Sequence, residues 1–105
     1  MAKFMLTYVG GNPPKSPEEG QQHMQAYQKW LADLGTAVVS PANPLKATHV
    51  VNSDGSIEKT SITGMSGYTV LEAQDIEQAL EMAKSCPFLS IGGQLEVSEM
   101  VVMQM

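Results

Sequence analysis

The sequence predicts an α+β domain, with one antiparallel sheet and two helices packed on one of its faces. Two segments carry helical periodicity with marked ends, and several short segments alternate as strands do. Their order is β-α-β-β-(β)-α-β. Two helices can cover only one face of a four- or five-stranded sheet. That arrangement is the ferredoxin-like plan. A length of 105 residues suits a single domain spanning 1–105.

The first strand is "KFMLTYV", in which Phe4, Leu6 and Tyr8 point one way and Met5, Thr7 and Val9 the other. "GGNPPK" then interrupts regular structure. "SPEEGQQHMQAYQKWLADLG" is the first helix. Ser16 is its N-cap, Pro17 fits the first helical position, Glu19 completes a capping box and Gly35 ends it. Met24, Tyr27, Trp30, Leu31 and Leu34 fall on one helical face. "TAVVS" is a short strand, and "PANPL" an extended connection stiffened by two prolines. "KATHVV" is a second short strand before a hairpin turn at Asp54-Gly55. "EKTSITGM" is a weak strand or a loop, and "SGYTVLEA" a clear strand. "DIEQALEMAK" is the second helix, capped by Asp75, with Ile76, Ala79, Leu80 and Ala83 as its apolar stripe. "QLEVSEMVVMQ" is the last strand. Leu95, Val97, Val101 and Met103 share one of its faces, interrupted by Glu99.

The sheet face away from the helices would then carry Met5, Val9, Met100 and Val102. Left uncovered, it is a large apolar patch. A homodimer with two sheets packed face to face, about 10 Å apart, removes it. A cavity between sheet and helix ends would be the natural ligand site.

Composition narrows the function. The net charge is −5, the six lysines are scattered, and there is no arginine. This argues against nucleic-acid partners and against bidentate recognition of phosphate or carboxylate. One cysteine makes no internal disulfide. No apolar run is long enough to cross a bilayer, and "MAKFMLTYVGG" reads as a strand rather than a signal peptide. The expectation is a cytoplasmic protein with no membrane partner.

His23 is the candidate catalytic residue. It projects between Tyr27 and Trp30, inside the apolar stripe, where a neutral, partly buried imidazole suits general-base work or ligand binding. The alternative is a core histidine satisfied by a backbone carbonyl or a carboxylate. Tyr27, Trp30, Asn43, Ser66 and Tyr68 are candidate ligand-binding residues; aromatics at helical spacing are more often core. Two histidines and one cysteine make no zinc signature, so no metal and no cofactor are expected. "TGMSGY" is no nucleophile elbow, because Ser66 leads into a strand rather than a helix. Cys86 stands at a helix C-terminus, where a thiolate is disfavoured. With Pro87 behind it, Cys86 reads as a helix terminator. Phe88, Leu89 and Ile91 read as packing residues before Gly92 and Gly93 launch the last strand.

Taken in order, "SPEEGQQHMQAYQKWLADLG", "PANPL", "SGYTVLEAQDIEQALEMAKSCPF" and "IGGQLEVSEM" resemble the YCII-related domain family, and the resemblance covers nearly the whole chain. It is nearest a branch of small bacterial proteins. The resemblance implies a ferredoxin-like fold forming a dimeric α/β barrel, with a pocket near the first helix and the sheet interior. It also implies a histidine–aspartate pair, for which His23 lies in the histidine's place. The Asp-Gly-Pro-Phe motif of one large branch is missing, and "TGMSGY" stands near its position. The aspartate has no match, since Asp54 belongs to a turn and Asp75 to a helix cap.

Two functional readings follow. The first is a metal-independent small-molecule enzyme, isomerase- or lyase-like, with His23 as acid/base and Asn43 donating hydrogen bonds. The second is a non-catalytic homodimeric module that binds a small ligand or a protein.

Overall fold

The computed structural model describes residues 1–103. Its elements are β1 (Ala2–Gly10), α1 (Pro17–Leu34), β2 (Val38–Pro44), β3 (Val50–Val51), β4 (Ile57–Glu58), β5 (Met65–Ala73), α2 (Ile76–Lys84) and β6 (Gly93–Glu99). Short 3-10 turns occupy Gly35–Ala37 and Pro87–Ile91. The main sheet is antiparallel with strand order β2-β5-β1-β6, and β3 and β4 form a separate ribbon. A four-stranded antiparallel sheet with two α-helices is the α+β arrangement expected, and this order is compatible with the ferredoxin-like plan.

The alternation expected in β1 sets the core. Phe4 pairs with Leu71, Leu6 with Thr69 and Tyr8 with Gly67, all on the helix side. Phe4, Leu6, Thr69 and Leu71 are fully buried. One core cluster joins Leu6, Tyr8, Leu71, Ala83 and Cys86 to Trp30 of α1; a second joins Phe4 and Ala73 to Ala79 of α2. Burying side chains of this size contributes about 1.5–3 kcal/mol each. The Trp30 indole N–H donates to the Met82 carbonyl at 3.0 Å, tying α1 to the last turn of α2.

The helix ends follow their sequence signals in detail. The Glu19 N–H donates to Ser16 Oγ at 3.1 Å, and the Gly35 N–H closes on the Leu31 carbonyl. At α2 the Gln78 side chain reaches one residue further back than a capping box requires, to the residue before the cap. The Gln78 N–H donates to Asp75 Oδ1 at 2.9 Å, and Gln78 Oε1 accepts from the Gln74 N–H at 2.7 Å.

Four departures have physical reasons. "TAVVS" and "PANPL" merge into one edge strand, β2, because an edge tolerates proline. Ser40 pairs with Val70 and Asn43 with Tyr68, so Pro41 and Ala42 together oppose Thr69. This bulge absorbs the extra residue. "KATHVV" shrinks to Val50–Val51, and only Ile57–Glu58 of "EKTSITGM" is strand, as suits a polar stretch with no face to bury. The 3-10 turn of Pro87–Ile91 directs Phe88 inward but leaves Leu89, expected to pack, exposed. The last strand ends at Glu99. Met100 still donates its N–H to the Lys3 carbonyl, while Val101–Met103 lie exposed and Gln104 falls outside the described residues.

The face away from the helices carries Met5, Val9, Val70, Thr7 and Tyr68 along its centre. Gln94, Glu96 and Ser98 on β6 border it. Along it Thr7 and Val70 are nearly inaccessible, while Met5, Val9 and Tyr68 are half-buried. Met100 and Val102, expected on it, come after β6 has ended. The radius of gyration is 15.4 Å, against about 13 Å for a compact domain of this length. The molecule is a plate of 45 × 44 × 18 Å.

Candidate functional site

A cleft of about 270 Å³ opens on the helix side of the sheet, between α1 and the bulged edge strand. His23, Met24 and Tyr27 line it from α1, Ala42, Asn43 and Pro44 from β2, and Ser66 and Gly67 from β5. Tyr8 of β1 and Phe88 of the 3-10 turn complete it. None of these residues is Asp, Glu, Lys or Arg.

The segment "SCPFLSIGG" explains one wall. Cys86 adopts an extended conformation before Pro87, which ends α2 and starts the 3-10 turn. The turn aims Phe88 back over the start of β6. A Cβ on Gly93 would collide with the Phe88 ring, and one on Gly11 would come within 2.9 Å of it. The ring occupies the space those side chains would fill, and its centroid lies 5.0 Å from that of Tyr8. Tyr27 stands 6.1 Å from Tyr8, 5.5 Å from Trp30 and 6.5 Å from His23, measured between ring centroids. The wall is thus a run of tilted and edge-on aromatic rings, the arrangements their quadrupoles prefer. Gly67 serves the opposite side: a Cβ there would lie 2.8 Å from the Asn43 carbonyl oxygen, so glycine lets β2 approach β5 closely.

Beside these rings lies a hydroxyl cluster. Tyr8, Tyr27 and Thr69 hydrogen-bond to one another through their hydroxyls. Thr69 donates to the Pro41 carbonyl at 2.7 Å, and Tyr27 reaches the same oxygen at 3.3 Å. That carbonyl belongs to the β2 bulge, where the ladder does not use it in regular register. Burial pushes the Tyr8 phenol well above its ordinary range and raises Tyr27 in the same direction. Cys86 is 3% exposed and adjoins this cluster; burial raises its thiol too, which disfavours the thiolate.

The structure brings His23, Tyr27, Asn43 and Ser66 together around one cleft and places Trp30 and Tyr68 elsewhere. Trp30 is core, with its N–H satisfied. Tyr68 faces the other side of the sheet, paired with Thr7. His23 is half-buried on the cleft wall, with no hydrogen bond or ion pair to a carboxylate among the described residues. Asn43 spends both amide hydrogens internally, on Ser40 Oγ at 2.9 Å and the Tyr68 carbonyl at 3.2 Å, so it does not donate into the cleft as expected. Tyr8, Met24 and Phe88 were not singled out as site residues from sequence. They read as core or packing positions, and only the glycines that accommodate Phe88 hinted otherwise. No group of metal-ligating side chains occurs among the described residues, and no helix there is long and apolar enough to cross a membrane. No family model matches the chain, and no curated protein matches it.

Proposed function

We propose that this chain is a homodimeric binding module for a compact, uncharged, ring-bearing small molecule. One observation carries the reading: the cleft is walled by Tyr8, Tyr27, Phe88, Met24 and Pro44 and lined by no charged side chain. Aromatic and apolar walls with a few fixed polar groups are how proteins hold small organic ligands. At about 270 Å³ the space suits a single ring better than a larger molecule. The resemblance of the ordered motifs to the YCII-related domain family supports the same reading, as does its dimeric α/β barrel. The sheet face away from the helices is the natural surface for the partner copy, in a cytoplasmic bacterial setting.

Methyl and aromatic NMR spectra test it. Single-ring uncharged probes, para-cresol and indole, are expected to shift Met24, Tyr27 and Phe88 saturably at micromolar to millimolar concentration. An Ala42→Phe variant, which fills the cleft, is expected to abolish the shifts. If no probe moves those signals at any soluble concentration, the proposal fails.

Proton transfer by His23 is a second reading, favoured by an imidazole that lines the cleft with no carboxylate bound to it. It predicts that a bound carbonyl compound exchanges its α-hydrogens with deuterated water, and that His23→Ala slows this at least about 100-fold. Exchange at the same rate in the variant removes it.

A further inference from the structure

Resting on the cleft as a ligand site, we propose a rule for its occupant: it must offer a hydrogen-bond donor, an O–H or N–H, to the tyrosine pair. A ring bearing only acceptors binds more weakly. The argument is a count of protons. Tyr8, Tyr27 and Thr69 each own one hydroxyl hydrogen. The Pro41 carbonyl, which can only accept, ends the chain of bonds. Thr69 gives it a hydrogen at 2.7 Å. Tyr27 donates to Thr69 or to the same carbonyl, and Tyr8 to Thr69 or Tyr27. Every hydroxyl hydrogen is therefore used inside the protein, whereas the hydroxyl oxygens retain unused lone pairs.

The neighbouring polar groups do not reverse this polarity. Asn43 has committed both amide hydrogens to Ser40 and Tyr68. Ser66 and His23 also line the cleft, but a hydroxyl and a neutral imidazole each offer both a donor and an acceptor, so they set no one-sided preference. A ligand donor gains an acceptor at no internal cost. A ligand acceptor must break a bond of the buried cluster, or leave its own lone pair dry. The bulge in β2 is the origin of the rule, because it supplies the carbonyl that draws the hydrogens inward.

Titration calorimetry with three probes of nearly equal shape tests it, at mildly alkaline pH where all are uncharged. They are para-cresol (donor), para-fluorotoluene (no donor) and gamma-picoline (acceptor only). Para-cresol is expected to bind about five- to tenfold tighter than either of the others. In Tyr27→Phe that preference is expected to shrink towards unity. If para-fluorotoluene or gamma-picoline binds as tightly as para-cresol to the unaltered protein, the donor rule is overturned while the cleft remains a ligand site. If the preference survives intact in both Tyr27→Phe and Tyr8→Phe, the rule is also overturned. If none of the three binds, the ligand-site reading falls and takes the rule with it.

Discussion

At the scale of single residues, burial decides which groups have chemistry. Cys86 is the chain's only cysteine, and its place after a helix C-terminus already argues against a nucleophile. The structure supplies the stronger reason, an almost inaccessible sulfur among Tyr8, Leu71 and Trp30. A disulfide reagent is expected to modify Cys86 slowly in the native protein and at once in denaturant; rapid native reaction would contradict its burial. The phenols give a pH prediction. Tyr8 and Tyr27 hold their protons more tightly in the folded chain than in the unfolded one, where a tyrosine titrates near pH 10. Their contribution is complete below about pH 10 and is lost as the pH climbs above it. The thermal midpoint is expected to fall on the alkaline side, and Tyr8→Phe to blunt that fall at a cost of about 1 kcal/mol at neutral pH. An unaltered alkaline profile in Tyr8→Phe would show that the buried phenol is not responsible. The partnership of Tyr8 with Thr69 was not legible in the sequence, because the two lie 61 positions apart and only the β1–β5 pairing brings them together.

At the scale of elements, the sequence was most informative where local chemistry suffices. Both helices begin at the caps read from Ser16 and Asp75, and β1 buries the face that alternation assigns to it. The site was less legible, because its walls come from five separate elements and its floor depends on a strand irregularity. Nothing local announces that Pro41 and Ala42 share one partner. Tyr68 and Thr69 also show the cost of a period-two strand: neighbours in sequence serve opposite faces. The glycines tell the clearest story at this scale. Gly93→Ala is expected to push Phe88 off its seat, destabilise the fold by about 1–3 kcal/mol as overpacking does, and weaken para-cresol binding by removing a cleft wall. A chemical-denaturation midpoint and a titration on the same variant check both. Gly93→Ala with unchanged stability would mean the ring relocates freely. Leu71→Ala, deep in the core, should cost about 2–5 kcal/mol through its cavity.

At the scale of the whole molecule, the plate has one finished side and one unfinished side. The helices complete the first. On the second, Met5 and Val70 meet across the central strands, bordered by Glu96 and Gln94. The β3–β4 ribbon and the connection after it add exposed apolar side chains, with Val51 69%, Ile57 67% and Ile62 83% exposed. Sheet-to-sheet association of two copies, as proposed, would bury the central stripe. Met5→Asp places a charge at a half-buried position of that stripe without touching the helix-side core. It is expected to convert a dimer to a monomer in sedimentation equilibrium at micromolar concentration, with the circular dichroism of the fold retained. A wild-type protein that sediments as a monomer would remove the dimer. The sequence anticipated an apolar second face but placed Met100 and Val102 on it, because the alternation in "EVSEMVVM" continues beyond Glu99, where the strand itself ends.

The seating of Phe88 over Gly93 and Gly11 also has a consequence in time. The ring is carried by the turn after α2, yet its seat is built from the first and last strands, which are distant in sequence. Synthesis delivers Gly93 after every residue that lines the cleft. The aromatic wall therefore closes only when the final strand docks beside the first. Occupancy of the cleft becomes a report on the last step of assembly. Para-cresol is expected to slow global unfolding without accelerating the early phase of refolding, because no intermediate lacking the docked final strand would have a place to hold it.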